Sequence, residues 1–276
     1  MTNWFSGLVR RLSGKGAAAV VPVVRLQGVI AADQRPGRLN IAGVGPLLKR
    51  AFAIKSAPAV AIIVNSPGGS PVQSRLIAKY IRDLAREHDK RVLVFVEDAA
   101  ASGGYFIATA GDEIIADPSS IVGSIGVIMA GFGFVGAIEK LGVERRVHTA
   151  GRNKSTLDPF LPEKPEDVER IKALELDIHQ TFIDWVKMRR GDKLKAGDDT
   201  LFTGEFWSGT RGLDLGLIDA LGDLHDVLTA RFGKDVQLKR IEPKRSLISL
   251  PSLGFSLATG AGAAIEDRAH WSRLGL

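Results

Sequence analysis

Short runs rich in β-branched and apolar residues alternate along the chain with longer segments whose apolar positions recur three and four residues apart. Val23 to Ile30, Ala59 to Val64, Val92 to Val96, Glu113 to Ala116, Val122 to Met129 and Val143 to Thr149 have the length and composition of strands. Leu76, Ile77, Tyr80, Ile81 and Leu84, following Ser74, fall at helical spacing. So do Val168, Ile171, Leu174, Ile178, Phe182 and Trp185, behind the Pro-bearing stretch Pro159 to Pro165, which predicts a long amphipathic helix packed outside the sheet. Asp223 to Phe232 reads as a third helix and Val236 to Ile241 as a late strand. Strands separated by helical crossovers predict an α/β domain with a largely parallel sheet and flanking helices. Glycines cluster at the turns, and no fixed-period repeat or low-complexity tract interrupts the pattern.

Composition narrows the class without changing the fold. The chain has 276 residues, 45% hydrophobic and 25% charged, which excludes disordered and collagen-like readings. It has no cysteine, so disulfides, thiolate nucleophiles, iron–sulfur clusters and Cys-ligated zinc are excluded together. The 37 Lys and Arg against 31 Asp and Glu give a net charge of +6, which favours anionic surfaces, but no nucleic-acid-binding motif accompanies it. Residues 1–20 read as an N-terminal tail in which Trp4, Phe5, Leu8, Val9 and Leu12, interrupted by Arg10 and Arg11, could form a short amphipathic anchor. Residues 242–276 read as a C-terminal tail whose Ser246 to Leu257 stretch could lie on a membrane surface or a partner. No stretch reads as a signal peptide or transmembrane helix, so the expectation is a cytoplasmic protein, soluble or peripherally membrane-associated.

Three Gly clusters carry candidate chemistry. Gly131, Gly133 and Gly136 match G-x-G-x-x-G. The helix that follows, from about Val135 to Leu141, is short, and the next strand ends in Val147, His148 and Thr149 with no acidic residue for a ribose, so a tight connection is the better reading. Asn65-Ser66-Pro67-Gly68-Gly69-Ser70 follows an apolar strand and precedes a helix; its glycines permit positive φ and leave N–H groups uncovered for an anion, or form a plain turn. Asp98-Ala99-Ala100-Ala101-Ser102-Gly103-Gly104-Tyr105 also leads from a strand into a helix. Ser102, walled by Ala and Gly, is either an accessible nucleophile at a helix N-terminus or a helix N-cap. None of the five histidines stands in a recognisable triad setting. A lysine can act as base when its amine is neutral, and Lys154, on the Gly-opened loop Gly151-Arg152-Asn153-Lys154-Ser155, is either that base or a solvated loop residue.

Asn-Ser-Pro-Gly-Gly, Ala-Ser-Gly-Gly-Tyr, Gly123-Ser124-Ile125-Gly126-Val127-Ile128 and Gly-x-x-Lys-Ser, in this order and spacing, resemble the signal peptide peptidase A family of Ser–Lys serine peptidases. Phe202-Thr203-Gly204, Gly216-Leu217-Ile218-Asp219 and Leu221-Gly222 resemble its closing motif. The resemblance implies a crotonase-like (Clp protease-like) domain over residues 21–241, Ser102 as nucleophile and Lys154 as general base. It also implies Ser124 as the partner of the lysine amine, and Gly69 with the N–H of Ser102 or Gly103 as the oxyanion hole. No cofactor or metal is implied. The implied substrates are extended peptides, among them remnant signal peptides or membrane-associated polypeptides, cleaved through an acyl-enzyme. The implied assembly is a homo-oligomer with active sites shared between subunits. A crotonase-type acyl-CoA enzyme, using both Gly loops, and a non-catalytic scaffold organising membrane proteins are the alternatives. The first lacks a catalytic carboxylate near the loops, and the second leaves Ser102 and Lys154 without a purpose.

Overall fold

The computed structural model describes residues 18–35, 37–243 and 268–276. The two tail segments singled out above, Trp4 to Leu12 and Ser246 to Leu257, lie outside the described residues. The elements run β1 (Val20–Gln27), β2 (Val29–Ile30), β3 (Arg38–Leu39), α1 (Ile41–Phe52), β4 (Ala59–Ser66), α2 (Pro71–Glu87), β5 (Arg91–Ala101), α3 (Gly103–Ala108), β6 (Glu113–Ala116) and β7 (Ile121–Gly123). They continue with α4 (Val135–Lys140), α5 (Pro165–Arg190), α6 (Asp198–Leu201), β8 (Phe206–Ser208), α7 (Gly209–Asp214), β9 (Ala220–Leu221), α8 (Leu224–Phe232) and β10 (Gln237–Arg240).

The sheet has the order β10-β1-β4-β5-β6-β9, and all of these neighbours are parallel. The α/β reading from strand and helix alternation therefore describes the fold. Alternate residues of the central strands feed two cores. Val60, Ile62 and Val64 of β4 and Val92, Val94 and Val96 of β5 meet α1, α2, α3 and α5 on one face. Ala59, Ala61, Leu93 and Phe95 meet α8 on the other. Burial on both faces explains why these strands are nearly continuous apolar runs.

β5 changes neighbours along its length. Leu93–Val96 pair with β6, whereas Ala99–Ala101 pair with β7. The change is made by a bulge: Val64 pairs with Val96 but Ser66 pairs with Ala100, so β5 carries extra residues across Glu97–Ala99. The buried Asn65 side chain fills the gap, accepting from Ala99 N–H at 3.2 Å and donating to Asp98 at 2.6 Å. The strand thus runs five residues beyond Val96 and delivers its end, Ala101, to the mouth of the sheet.

Several expectations need correction. Val143 to Thr149 forms no strand; it is an exposed extended segment with no ladder partner, and β-branched composition alone does not supply one. The strand expected over Val122 to Met129 stops at Gly123. Gly131, Gly133 and Gly136 make no tight connection, since a Cβ at any of them would meet nothing within 4 Å. The long helix α5 forms, but only its C-terminal half packs. Trp185 stacks on Phe106 with centroids 5.2 Å apart and Phe182 lies tilted against it at 5.0 Å, while Leu174 and Leu176 stay exposed.

Candidate active site

Ser102 is the single residue between β5 and α3, and its backbone is held at φ 51°, ψ −121°, a region that side-chain-bearing residues rarely adopt. It occupies the N-cap position, yet its hydroxyl makes no capping hydrogen bond. The capping alternative therefore fails, and the half-buried hydroxyl is left without a structural task. The turn is tight because α3 must reverse into the core at once, where Tyr105, Phe106 and Ile107 are buried and the Tyr105 hydroxyl donates to Leu217 O at 2.7 Å. Burial pushes the Tyr105 phenol well above its ordinary range, so it remains a neutral donor.

The surrounding backbone has no room for side chains. A Cβ on Gly68 (φ 102°) would lie 2.8 Å from Ser102 Cβ and 2.9 Å from Gly103 N. One on Gly104 would lie 2.5 Å from Ser66 O. These glycines let the loop after β4 and the turn after β5 approach each other directly.

That approach presents two N–H donors. The Gly68 carbonyl accepts from Ile30 N–H at 2.8 Å, and Ser70 N–H donates to Ile30 O at 2.7 Å, so Ile30 holds Gly69 as a parallel bridge partner. A trans peptide directs its C=O and N–H oppositely, so the Gly69 N–H points away from Ile30. Gly69 N lies close to Gly103, 3.4 Å from that residue's Cβ position. Gly103 N–H sits in the first turn of α3, where no helical acceptor exists. Neither N–H has a backbone acceptor among the described residues. Ser102 N–H, the other candidate for the second donor, is instead given to Gly123 O at 2.8 Å, which leaves Gly103.

This bond to Gly123 also sets Ser124 beside Ser102, in continuation of the Ala101–Gly123 pair. Ser124 is half-buried and, like Ser102, has a positive φ, 54°. Two contacts that sequence reasoning missed hold it there. Ser124 N–H donates to Glu205 O at 2.6 Å, and β8 pairs antiparallel with β7, placing the Trp207 ring 2.8 Å from where a Gly123 Cβ would be. The Phe202-Thr203-Gly204 motif was visible in the sequence, but the pairing of Phe206, just beyond it, with Gly123 was not.

The structure thus brings Ser102, Gly69, Gly103 and Ser124 together and leaves Lys154 apart from them. Lys154 lies in a turn, exposed to solvent, and its amine has no hydrogen-bond or ion-pair partner among the described residues. It belongs to a segment between Gly126 and Lys164 that is largely exposed and holds itself together. Phe134 stacks on Phe160 at 5.5 Å, Arg145 pairs with Asp158 at 2.8 Å, and Met129 N–H ties the base of the segment to Glu175 of α5. Phe132, Leu141 and Ile128 are exposed on it, Phe132 by 81%. His179 takes no catalytic position; its Nε2 lies 3.0 Å from Ile125 O. Among the described residues no group of His, Asp and Glu could hold a metal ion.

Known proteins resemble this chain to different extents. The chain is 55% identical to a protein named Na(+)/H(+) antiporter NhaA from Brucella abortus (strain 2308), over 98% of its own length and 39% of that relative's. It is 34% identical to a putative protease from Methanocaldococcus jannaschii, over 63% of this chain and 55% of the relative. The chain therefore spans about two-fifths to about half of these relatives. Among solved structures, a lysine-to-alanine mutant of the 1510-N membrane-bound stomatin-specific protease, in complex with a substrate peptide, shares the fold with a TM-score of 0.51 at 16% identity, over 83% of this chain and 94% of that one. The family model described as peptidase family S49 matches residues 84–239, a span that includes β5, Ser102, Ser124 and Lys154. The chain belongs to peptidase family S49, the signal peptide peptidase A family that its loop motifs resemble.

Proposed function

We propose that this chain is a serine endopeptidase of extended peptides, with residues 21–241 as the peptidase unit. Ser102 is the nucleophile, Lys154 the general base, Ser124 the partner of the lysine amine, and the Gly69 and Gly103 N–H groups the oxyanion hole. The observation that carries the reading is the strained, uncapped Ser102 flanked by two N–H donors without a hydrogen-bond acceptor among the described residues. The Ser102 hydroxyl would add to the scissile carbonyl while its proton passes to the neutral Lys154 amine. The two N–H groups would stabilise the negative oxygen that forms. Collapse would break the C–N bond as the lysine returns the proton to the leaving amine. Water, activated by the same base, would then release the acyl group and restore Ser102. Because the base acts as a neutral amine, activity should rise from acid toward neutral and alkaline pH.

An exposed Lys154, on a self-contained segment that also exposes Phe132 and Leu141, supports the further reading that it reaches the Ser102 of a neighbouring subunit, so that each site is shared and the oligomer is required. The chain covers 39% of the relative named an antiporter, so that name by itself carries no reading of this chain.

The test begins with a fluorophosphonate probe located by mass spectrometry. Labelling at Ser102 supports the nucleophile, and labelling elsewhere refutes it. Ser102→Ala and Lys154→Ala should each abolish peptide cleavage. Mixing the two inactive proteins under confirmed subunit exchange should restore part of the activity. If no activity returns, the dyad lies within one chain.

A further inference from the structure

Ser66 lies at the end of β4, and neither the proposed chemistry nor the packing of the core accounts for its hydroxyl. It is fully buried, at 0% exposure, so no substrate can reach it. Its Oγ nevertheless makes two hydrogen bonds. It donates to Gly28 O at 2.7 Å and accepts from Gly68 N–H at 3.2 Å.

Those two partners are backbone groups of the segments that aim the Gly69 N–H. Gly68, at φ 102°, is flanked by two peptide groups. The one on its C-terminal side carries the Gly69 N–H and is pinned through its carbonyl by Ile30 N–H at 2.8 Å. The one on its N-terminal side carries the Gly68 N–H, and Ser66 Oγ pins it. Glycine has the freest backbone of any residue, so one pinned peptide does not fix the other. With both held, the Gly68 dihedrals are set and the Gly69 N–H has one direction.

The second bond of the hydroxyl reinforces the first. Gly28 (φ 109°) joins β1 to β2, and its own N–H donates to Asn65 O at 3.0 Å. By binding Gly28 O, Ser66 holds the start of the two-residue strand whose end, Ile30, grips Gly68 and Ser70. Ser66 Oγ, Gly28, Ile30 and Gly68 thus form a closed circuit around the loop. Ser66 also lines the other side of the site: its carbonyl lies 2.5 Å from where a Gly104 side chain would begin. No titratable group takes part in the circuit.

We propose that Ser66 is a positioning residue for catalysis, its buried hydroxyl orienting the Gly69 N–H as an oxyanion donor by locking the Gly68 backbone. This rests on the reading of Gly69 as an oxyanion donor. Ser66 is expected to act on the transition state and not on substrate affinity, because a peptide carbonyl gains its negative charge only as Ser102 adds to it.

The experiment compares the wild-type protein with Ser66→Ala and Ser66→Cys, using a fluorogenic peptide and a peptide aldehyde that forms a tetrahedral adduct on the serine. Rates are normalised to the fraction of protein labelled by a fluorophosphonate. The thiol fills the same space but is a weak donor and acceptor, so Ser66→Cys guards against failure of Ser66→Ala to fold. Deleting an oxyanion donor costs about 100- to 1000-fold in kcat. Loosening one should lower kcat by about 10- to 100-fold, with KM changed by less than about threefold, and should weaken aldehyde inhibition by a factor similar to that in kcat/KM. Thr109→Val is the control. It removes an equally buried hydroxyl, which donates to Phe106 O, from the far end of α3, and should leave normalised kcat unchanged. If the Ser66 variants lose only folded protein and keep wild-type kcat and aldehyde affinity, Ser66 is structural and the proposal is wrong. If wild-type protein is not labelled at Ser102, the peptidase reading falls and this proposal with it.

Discussion

Ser102 should carry measurable backbone strain, and relieving it should stabilise a protein that can no longer work. At φ 51°, ψ −121° the Cβ of Ser102 occupies a conformation that costs about 1–3 kcal/mol for a side-chain-bearing residue. Ser102→Ala keeps the Cβ and therefore the strain. Ser102→Gly removes it, and gives back about 0.4–1 kcal/mol through the greater freedom of the unfolded glycine chain. With both terms at mid-range, Ser102→Gly is more stable than Ser102→Ala by about 1.3 kcal/mol. For a chain of this size, at about 2–4 °C in Tm per kcal/mol, that is roughly 3–5 °C. Both variants should be inactive, so the comparison isolates the backbone from the chemistry. Thermal unfolding followed by circular dichroism, with urea titration at 25 °C as a second measure, reads the difference. A Ser102→Gly protein no more stable than Ser102→Ala would refute the claim that the turn at Ser102 stores strain. The uncapped, half-buried hydroxyl would then need another reason for its position.

Two further predictions concern the frame around the site. Arg190 is almost wholly buried, with its guanidinium on Gly216 O and on Asp219, 2.7 Å away; burial pushes the Asp219 carboxyl up, but Arg190 and Lys193 together hold it below its ordinary range. Arg190→Met should cost about 1–3 kcal/mol in urea unfolding by removing the buried bonds to Gly216 O and Asp219 while Lys193 stays on the carboxylate, and adding Asp219→Asn should recover part of the loss. Hydrogen bonding from Arg231, opposed by burial and helped by the charges of Arg231 and Arg91, holds Glu113 below the ordinary carboxylate range. Its stabilising contribution is therefore complete above an unfolded-state pKa of about 4.3 and fades as pH falls through the lower folded value. Glu113→Gln should lower stability at neutral pH and converge on wild type in acid; an unchanged gap down to the lowest measurable pH would contradict this.

The linear chain by itself determined the fold class and marked the two loops where backbones approach closely. Val60 to Val64 and Val92 to Val96 are apolar on both faces, and only a parallel sheet covered on both sides buries such runs. Pro67-Gly68-Gly69 and Ser102-Gly103-Gly104 announce close backbone approach because local dihedral freedom is written in residue type. α1 stayed hidden because Gly43, Gly45 and Pro46 break its pattern, and it is secured by tertiary contact, Asn40 capping Gly43 N–H and Gln73 taking Ile41 N–H. Val143 to Thr149 failed in the opposite sense, with strand-forming residues but no neighbouring edge to pair with. Which of two N–H groups completes the pair beside Gly69 was likewise undecidable from sequence. Ser102 and Gly103 are equivalent as letters, and only the pairing of β5 with β7 assigns the Ser102 N–H to Gly123 and leaves the Gly103 N–H open. The role of the Ser66 hydroxyl and the solvent exposure of Lys154 have the same origin. Hydrogen bonds between segments distant in sequence depend on register, and register is fixed by how the whole sheet packs, not by any local stretch of the chain.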